Sequence, residues 1–159
     1  MSILDEFVGR HEIATADAME QLGLRIGEQL VAGDLLVLTG PLGAGKTTFT
    51  RGLADGLGVR GPVQSPTFVI ARTHPSLVGG APLVHVDAYR LGSAAELDDL
   101  DIDFARSVVV IEWGRPMASA VADAWWDIEL ERPVGGADVD DEDLDADAPR
   151  FVTIARVQH

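Results

Sequence analysis

The sequence contains no cysteine, which excludes disulfide scaffolds, thiolate metal sites and cysteine nucleophiles. It also lacks any apolar run of the roughly 18 residues that a membrane-spanning helix requires. The first residues carry acidic side chains and no basic, apolar leader, so we expect no secretory signal, no membrane association and a cytoplasmic location. The four histidines are scattered and offer no metal-ligand spacing.

Basic residues are scarce. The chain has 12 Lys plus Arg against 26 Asp plus Glu, which gives a formal net charge of −14. Proteins that bind nucleic acid electrostatically neutralise phosphates with clusters of Lys and Arg, so this balance argues against direct binding of RNA. Lys46 is the only lysine in the chain.

What the chain does have is the composition of one globular domain, which we expect to span residues 1–159. Strand-like and helix-like segments alternate, which predicts an α/β fold with a parallel central sheet. The last two strand patterns alternate with period two and predict antiparallel C-terminal strands. The predicted helices cover about 15–31 and 46–57, with a short one starting at Ser93, and the predicted strands cover 34–39, 83–87, 108–112, 126–131 and 151–157. Residues 65–72 are predicted to be a loop that leads into a further strand.

An acidic segment, 135–149, separates the last two predicted strands. It has seven acidic residues between Asp138 and Asp147 and no basic residue. Such a composition is typical of a solvated, mobile loop, with a cation site or a docking segment as the less favoured alternatives.

The chemistry is indicated by Gly40-Pro-Leu-Gly-Ala-Gly45-Lys46-Thr47, which matches the phosphate-binding loop G-x-x-x-x-G-K-[ST]. It follows a predicted buried strand and opens a predicted helix, as this mechanism requires. Backbone N–H groups and the helix N-terminus bind phosphate oxygens, the lysine reaches the outer phosphates, and the threonine hydroxyl binds Mg²⁺. We therefore expect a P-loop NTPase, a three-layer sandwich, with nucleotide contacts from Leu42, Gly43, Ala44, Gly45, Lys46, Thr47 and Thr48.

Two acidic residues, Asp87 and Glu112, end apolar strands. Carboxylates at the carboxyl ends of neighbouring strands can hold Mg²⁺ and orient the attacking water. We assign catalytic roles to Lys46, Asp87 and Glu112 and leave open which of the two acids touches the metal. Trp113 either stacks on the nucleotide or fills the core.

Adenine is the favoured base, because the guanine-reading motif Asn-Lys-x-Asp needs a lysine and the only one is already in the phosphate loop. The expected cofactors are therefore ATP or ADP and Mg²⁺. A small-molecule kinase is a weaker alternative, since only Arg72 and Arg90 lie close to the motifs and no arginine-rich lid is visible.

Four segments together resemble a known family. The phosphate loop, Ser65-Pro-Thr-Phe68, His85-Val-Asp-Ala-Tyr-Arg-Leu91 and Ile111-Glu-Trp113 occur in the order and spacing of TsaE proteins. The resemblance covers about residues 15–115. It implies an ATPase that is slow alone and that acts with the TsaD–TsaB pair in threonylcarbamoyladenosine modification at position 37 of ANN-decoding tRNAs. Any contact with tRNA would then be indirect.

The resemblance also implies roles for individual residues. It places Mg²⁺ on Thr47 and Glu112 and gives Asp87 a role in catalysis or in support of the metal ligands. The segment formed by Ser65, Pro66, Thr67 and Phe68 would be a switch loop that senses the γ-phosphate. Trp113 would lie beside the nucleotide, and Thr15 near the adenine.

Two questions stay open at this point. ATP occupancy alone could drive partner docking, with hydrolysis incidental, which would make the chain a nucleotide-gated binding module. Arg90 is the internal candidate for an arginine finger, but a salt bridge to the acidic surface is an equally good reading.

Overall fold

The computed structural model describes residues 3–41, 44–59, 61, 71–91, 93–132 and 149–158, without the side chains of Ile3, Leu4, Arg90, Ala94 and Asp98. Leu42, Gly43, the predicted switch loop 65–68 and nearly all of the acidic segment 135–149 lie outside these residues, as does the Arg90 side chain. In the described part of the chain, no helix is both long and apolar enough to cross a membrane.

The described residues form one seven-stranded sheet flanked by helices. Its strands are β1 (Gly9–Ile13), β2 (Leu35–Thr39), β3 (Ala71–His74), β4 (Leu83–Asp87), β5 (Val108–Glu112), β6 (Ala124–Glu131) and β7 (Arg150–Gln158). Its helices are α1 (Ala16–Gly27), α2 (Lys46–Leu57), α3 (Ala94–Asp98) and α4 (Ala118–Val121), and short 3₁₀ helices cover Ile3–Phe7 and Ala88–Arg90.

The strand order is β1-β7-β6-β2-β5-β4-β3. The four central strands, β6, β2, β5 and β4, run parallel, and β7, β1 and β3 pair antiparallel at the two edges. The predicted α/β class, parallel centre and antiparallel C-terminal pair are thus confirmed. All four parallel strands end at the same edge of the sheet, and the phosphate loop leaves β2 at that edge.

Alternating residues divide the apolar interior into two layers. Leu36, Leu38, Val108 and Val110 face α1 and α2, while Leu35, Val37, Val109 and Ile111 belong to a second cluster that includes residues of α3 and α4. We call these two sides the α1–α2 face and the α3–α4 face. A parallel sheet covered on both faces needs apolar residues on both sides, which is why its strands read as continuous apolar runs.

The N-terminal part of the chain differs from the sequence prediction in two respects. The first helix ends at Gly27 instead of continuing to about residue 31, because the chain then turns, with Gln29 N–H bonded to the Ile26 carbonyl and Leu30 N–H to the Gly27 carbonyl. Leu30 is nevertheless buried, so its apolar character reflects tertiary packing and not helix periodicity. The leader contains β1, which has only one buried residue, Ile13, and therefore shows little alternation.

Candidate functional site: a phosphate loop beside buried carboxylate chemistry

The phosphate loop lies between the end of β2 and the start of α2. Gly45 has φ +106°, a left-handed conformation that a side chain would strain, and it precedes the first residue of the helix, Lys46. Gly40 lies so close to β6 that an added Cβ would be 2.7 Å from the Leu130 carbonyl oxygen. At these two positions the loop packs closely, Gly40 against Leu130 of β6 and Gly45 against Met19 of α1.

The start of α2 is suited to an anion. Gly45 offers no side chain to cap the first N–H groups, and the first turn contains no acidic residue. The unpaired N–H groups and the positive end of the helix dipole both favour phosphate. Thr47 and Thr48, the predicted metal ligand and its neighbour, lie in this first turn.

Lys46 is held at the centre of the site. Its Nζ donates to the Gly40 carbonyl at 2.6 Å, lies 3.9 Å from Glu112 Oε1 and sits 4.1 Å from the centre of the Trp113 ring. Burial lowers the pKa of Lys46, and the nearby charges of Glu112 and Asp87 act in the opposite direction. The predicted lysine, both predicted acids and the predicted tryptophan therefore share one site.

The sheet explains this convergence. Asp87 and Glu112 are paired residues in the parallel register of β4 and β5, and Leu38 pairs with Glu112 across β2 and β5. The Trp113 N–H bonds to the Leu38 carbonyl at 2.8 Å, and Trp113 has a left-handed backbone with φ 62°. Such a conformation costs energy for a bulky residue and is enriched at functional sites.

Glu112 is buried, with 5% of its surface exposed. A buried carboxylate must be paired and hydrogen-bonded to remain charged. Its Oε2 bonds to His85 Nε2 at 2.5 Å, and its Oε1 is the atom nearest Lys46. Asp87 is more open, and its Oδ1 accepts from the Tyr89 N–H at 3.1 Å.

Sequence reasoning assigned no role to His85 or Tyr89. His85 is the only ionisable residue inside the apolar part of β4, two residues before Asp87, and that period-two spacing was the available signal. Tyr89 is 75% exposed, and its ring lies 5.8 Å from the Trp113 ring, a contact between residues far apart in sequence that no local pattern reveals.

Thr15 has a structural role. It is the N-cap of α1, and its hydroxyl oxygen accepts from the Ala18 N–H at 3.0 Å. The same end of α1 reaches the phosphate loop, because Met19 lies against Gly45. Thr15 is thus about one helical turn from a residue that contacts the loop, while its proposed proximity to adenine stays a prediction.

The site suits a metal held jointly with phosphates. Among the described residues, no group of three or more His, Asp or Glu side chains could hold a metal ion by themselves. Mg²⁺ is usually bound by one or two protein oxygens together with substrate phosphates and water. A hydroxyl at Thr47 and a carboxylate at Glu112, beside a phosphate-binding helix end, fit that pattern.

Comparison with known proteins gives a consistent family. The model of the family described as "Threonylcarbamoyl adenosine biosynthesis protein TsaE" matches residues 13–136. The tRNA threonylcarbamoyladenosine biosynthesis protein TsaE of Streptomyces coelicolor is 52% identical over 139 residues, which cover 86% of this chain and 88% of that protein.

Two further proteins are similar to this chain. The protein of the same name from Mycobacterium tuberculosis H37Rv is 52% identical over 120 residues, covering 70% of this chain and 71% of its own length. The crystal structure of Bacillus subtilis YdiB superposes with a TM-score of 0.67 at 28% identity and covers 94% of this chain and 85% of that one. The chain belongs to the TsaE family of threonylcarbamoyl adenosine biosynthesis proteins.

Proposed function

We propose that this chain binds ATP with Mg²⁺ and hydrolyses it in support of threonylcarbamoyladenosine modification at position 37 of ANN-decoding tRNAs, acting with the TsaD–TsaB pair. The observation that carries the proposal is the convergence of Lys46, Glu112 and Asp87 at the uncapped N-terminus of α2. The S. coelicolor and M. tuberculosis relatives, named for this biosynthesis, support the biological context.

Each residue has a distinct part in this proposal. The N–H groups at the start of α2 bind the phosphates, and Lys46 neutralises charge that develops on the transferred phosphoryl group. Thr47 and Glu112 would hold Mg²⁺, which would supply positive charge that stabilises the charge of the phosphate oxygens during transfer. Asp87 is the more exposed of the two acids and can therefore orient a water molecule that enters from solvent.

The charge of the chain supports an indirect relation to tRNA. A net charge of −14 repels phosphate backbones, so the proteins that contact tRNA would be the partners. An acidic ATPase that docks on a tRNA-binding complex is consistent with both the composition and the family.

Reconstituted modification tests the proposal. Lys46→Ala and Glu112→Ala should each abolish the multiple-turnover formation of threonylcarbamoyladenosine when mixed with TsaD, TsaB, tRNA and the threonylcarbamoyl donor. Glu129→Ala is a matched control, because Glu129 lies on the surface of β6 and contacts Arg115 instead of Lys46. Undiminished product with either site variant would contradict the proposal.

A nucleotide-gated binding module is the second candidate. It is favoured by the engagement of Glu112 with both His85 and Lys46, because this occupies one of the two acids that could act on water. A non-hydrolysable ATP analogue separates the two functions. Sustained rounds of modification with the analogue would support the binding module, whereas a stop after about one round would support hydrolysis as an obligatory step.

A further inference from the structure

His85 occupies an unusual position for a histidine. It lies in the middle of β4, has no exposed surface, and is flanked in the strand by Val84 and Val86. Burying a polar ring costs free energy unless hydrogen bonds replace those that water supplied. The position therefore needs a compensating interaction.

That interaction is with Glu112 alone. Nε2 lies 2.5 Å from Glu112 Oε2, while Nδ1 has no hydrogen-bond partner among the described residues. An ionised carboxylate only accepts hydrogen bonds, so Nε2 carries the hydrogen and donates it. Among the described residues, His85 therefore makes one side-chain hydrogen bond, to Oε2 of Glu112.

The contact fixes which oxygen of Glu112 faces the nucleotide side. Oε2 is turned towards β4 by His85, and Oε1 is the atom that lies 3.9 Å from Lys46 Nζ. The two strands are adjacent and paired in parallel register, so the donor is carried on a rigid neighbour and not on a loop. A carboxylate side chain without such a partner could rotate about its last torsion angle.

We propose that His85 is a positioning residue that orients the Glu112 carboxylate so that Oε1 is presented to Mg²⁺. This inference rests on the proposed function, because it assigns His85 to the metal site of the ATPase. Partners that orient metal ligands typically contribute about 10–100-fold to metal affinity. Removing His85 should therefore weaken Mg²⁺ binding while leaving the phosphate loop intact.

Three substitutions separate orientation from simple filling of space. In His85→Gln the amide N–H reaches about as far as Nε2 and can still donate to Glu112. In His85→Asn the amide ends near the position of Nδ1 and cannot reach. His85→Leu fills the space without a donor, and if it fails to fold, the Gln and Asn pair still decides the question.

The readout is the Mg²⁺ concentration that gives half-maximal binding of a fluorescent ATP analogue, with binding in EDTA measured as the reference. The Asn and Leu variants should need about tenfold more Mg²⁺, with unchanged binding in EDTA, and the Gln variant should stay within about threefold of the wild type. In a Glu112→Ala background, His85→Leu should cause no further change, because a residue that acts through Glu112 has nothing left to orient.

Three results would overturn the inference. One is equal Mg²⁺ dependence in the wild type and all three variants. Another is an equal loss, in all three variants, of binding of the ATP analogue measured in EDTA, which would indicate a structural role for His85. The third is a further shift when His85→Leu is added to Glu112→Ala. If the wild-type protein binds no nucleotide, the proposed function is wrong, and so is the positioning role of His85 that rests on it.

Discussion

The two faces of the sheet differ in the residues that they bury. On the α1–α2 face, the parallel strands place His85, Asp87 and Glu112 on the same side as the buried Leu83, Val108 and Val110, and long helices cover them. On the α3–α4 face, β4 and β5 present only the apolar residues Val84, Val86, Val109 and Ile111, and helices of five and four residues complete the cover. In β4 and β5, polar site residues and apolar core residues therefore share the α1–α2 face only.

On the α1–α2 face, close packing between α1 and α2 fixes the position of the site. α1 and α2 approach so closely that a Cβ added at Gly23 would lie 2.3 Å from the Phe49 carbonyl oxygen, and one at Gly52 would lie 2.1 Å from the Glu20 carbonyl oxygen. Backbone packed on backbone fixes α2, and therefore Lys46 at its start, without relying on mobile side chains. The α3–α4 face positions no residue of the site, and packing between side chains is sufficient to cover it.

The largest expected effect is from Gly52→Ala. The new methyl group would overlap backbone and force the helices apart, so we expect a loss of more than about 4 kcal/mol in unfolding free energy. Urea denaturation followed by circular dichroism measures it. Gly80→Ala is the control, because the nearest atom to its added Cβ is Ser76 Oγ at 3.6 Å. Equal midpoints for both variants would show that the helix contact is not close.

Leu97→Ala tests the opposite face. Leu97 of α3 is fully buried against the second apolar cluster, and its truncation should leave a cavity and cost about 3 kcal/mol. At a temperature where the variant is still folded, its affinity for ATP should match that of the wild type. A marked loss of ATP affinity under those conditions would show that this face contributes to the site.

Arg115→Ala tests a surface polar contact on the α3–α4 side of β6. Arg115 donates from Nη2 to Asp127 Oδ2 at 2.8 Å and to Glu129 Oε1 at 3.2 Å, and these acids raise the pKa of the Arg115 guanidinium, with the Asp127 hydrogen bond foremost. Because the arginine is half exposed, we expect a loss below about 1 kcal/mol that shrinks at high salt. A loss several times larger, unaffected by salt, would mean that this side also depends on buried electrostatics.

Asp34→Asn should have the smallest effect on unfolding free energy. Asp34 directly precedes β2, at the end of that strand away from the phosphate loop. Burial raises the pKa of Asp34, while its hydrogen bond from the Val31 N–H and the charge of Arg156 partly oppose this. A raised carboxyl pKa means that the folded state binds the proton more tightly, so stability falls as pH rises from the unfolded value, 3.8, through the folded one.

Asn keeps an acceptor for Val31 and carries no charge. The variant should therefore gain up to about 0.5 kcal/mol at pH 7 relative to the wild type, with the gain disappearing near pH 3. Unfolding free energies at the two pH values measure it. A variant that is less stable than the wild type at pH 7 would show that the charge of Asp34 is favourable.

The parts of this arrangement that local sequence encodes were predictable. The predicted helix from Lys46 to Leu57 and the capping pair of Ser93 and Glu96 depend on neighbours in the chain, and the structure has both where they were expected. Parallel strands end together, so the meeting of Asp87 and Glu112 also followed from the order of elements.

What could not be predicted depends on contacts between distant segments. The pairing of β1 with β7 joins the two ends of the described chain, and the turn after Gly27 is set by packing of Leu30. The bond from His85 to Glu112 joins residues that are 27 positions apart in sequence, and it depends on the register of β4 and β5. A histidine in an apolar strand indicates burial, but only the register identifies its partner.

The most direct test of the proposed function is the rate of ATP hydrolysis by the purified chain with Mg²⁺, measured alone and after addition of TsaD and TsaB. We expect a slow basal rate that rises with the pair and is absent in Lys46→Ala under both conditions. A rate in Lys46→Ala equal to that of the wild type, or tight ATP binding with no hydrolysis in either setting, would contradict it.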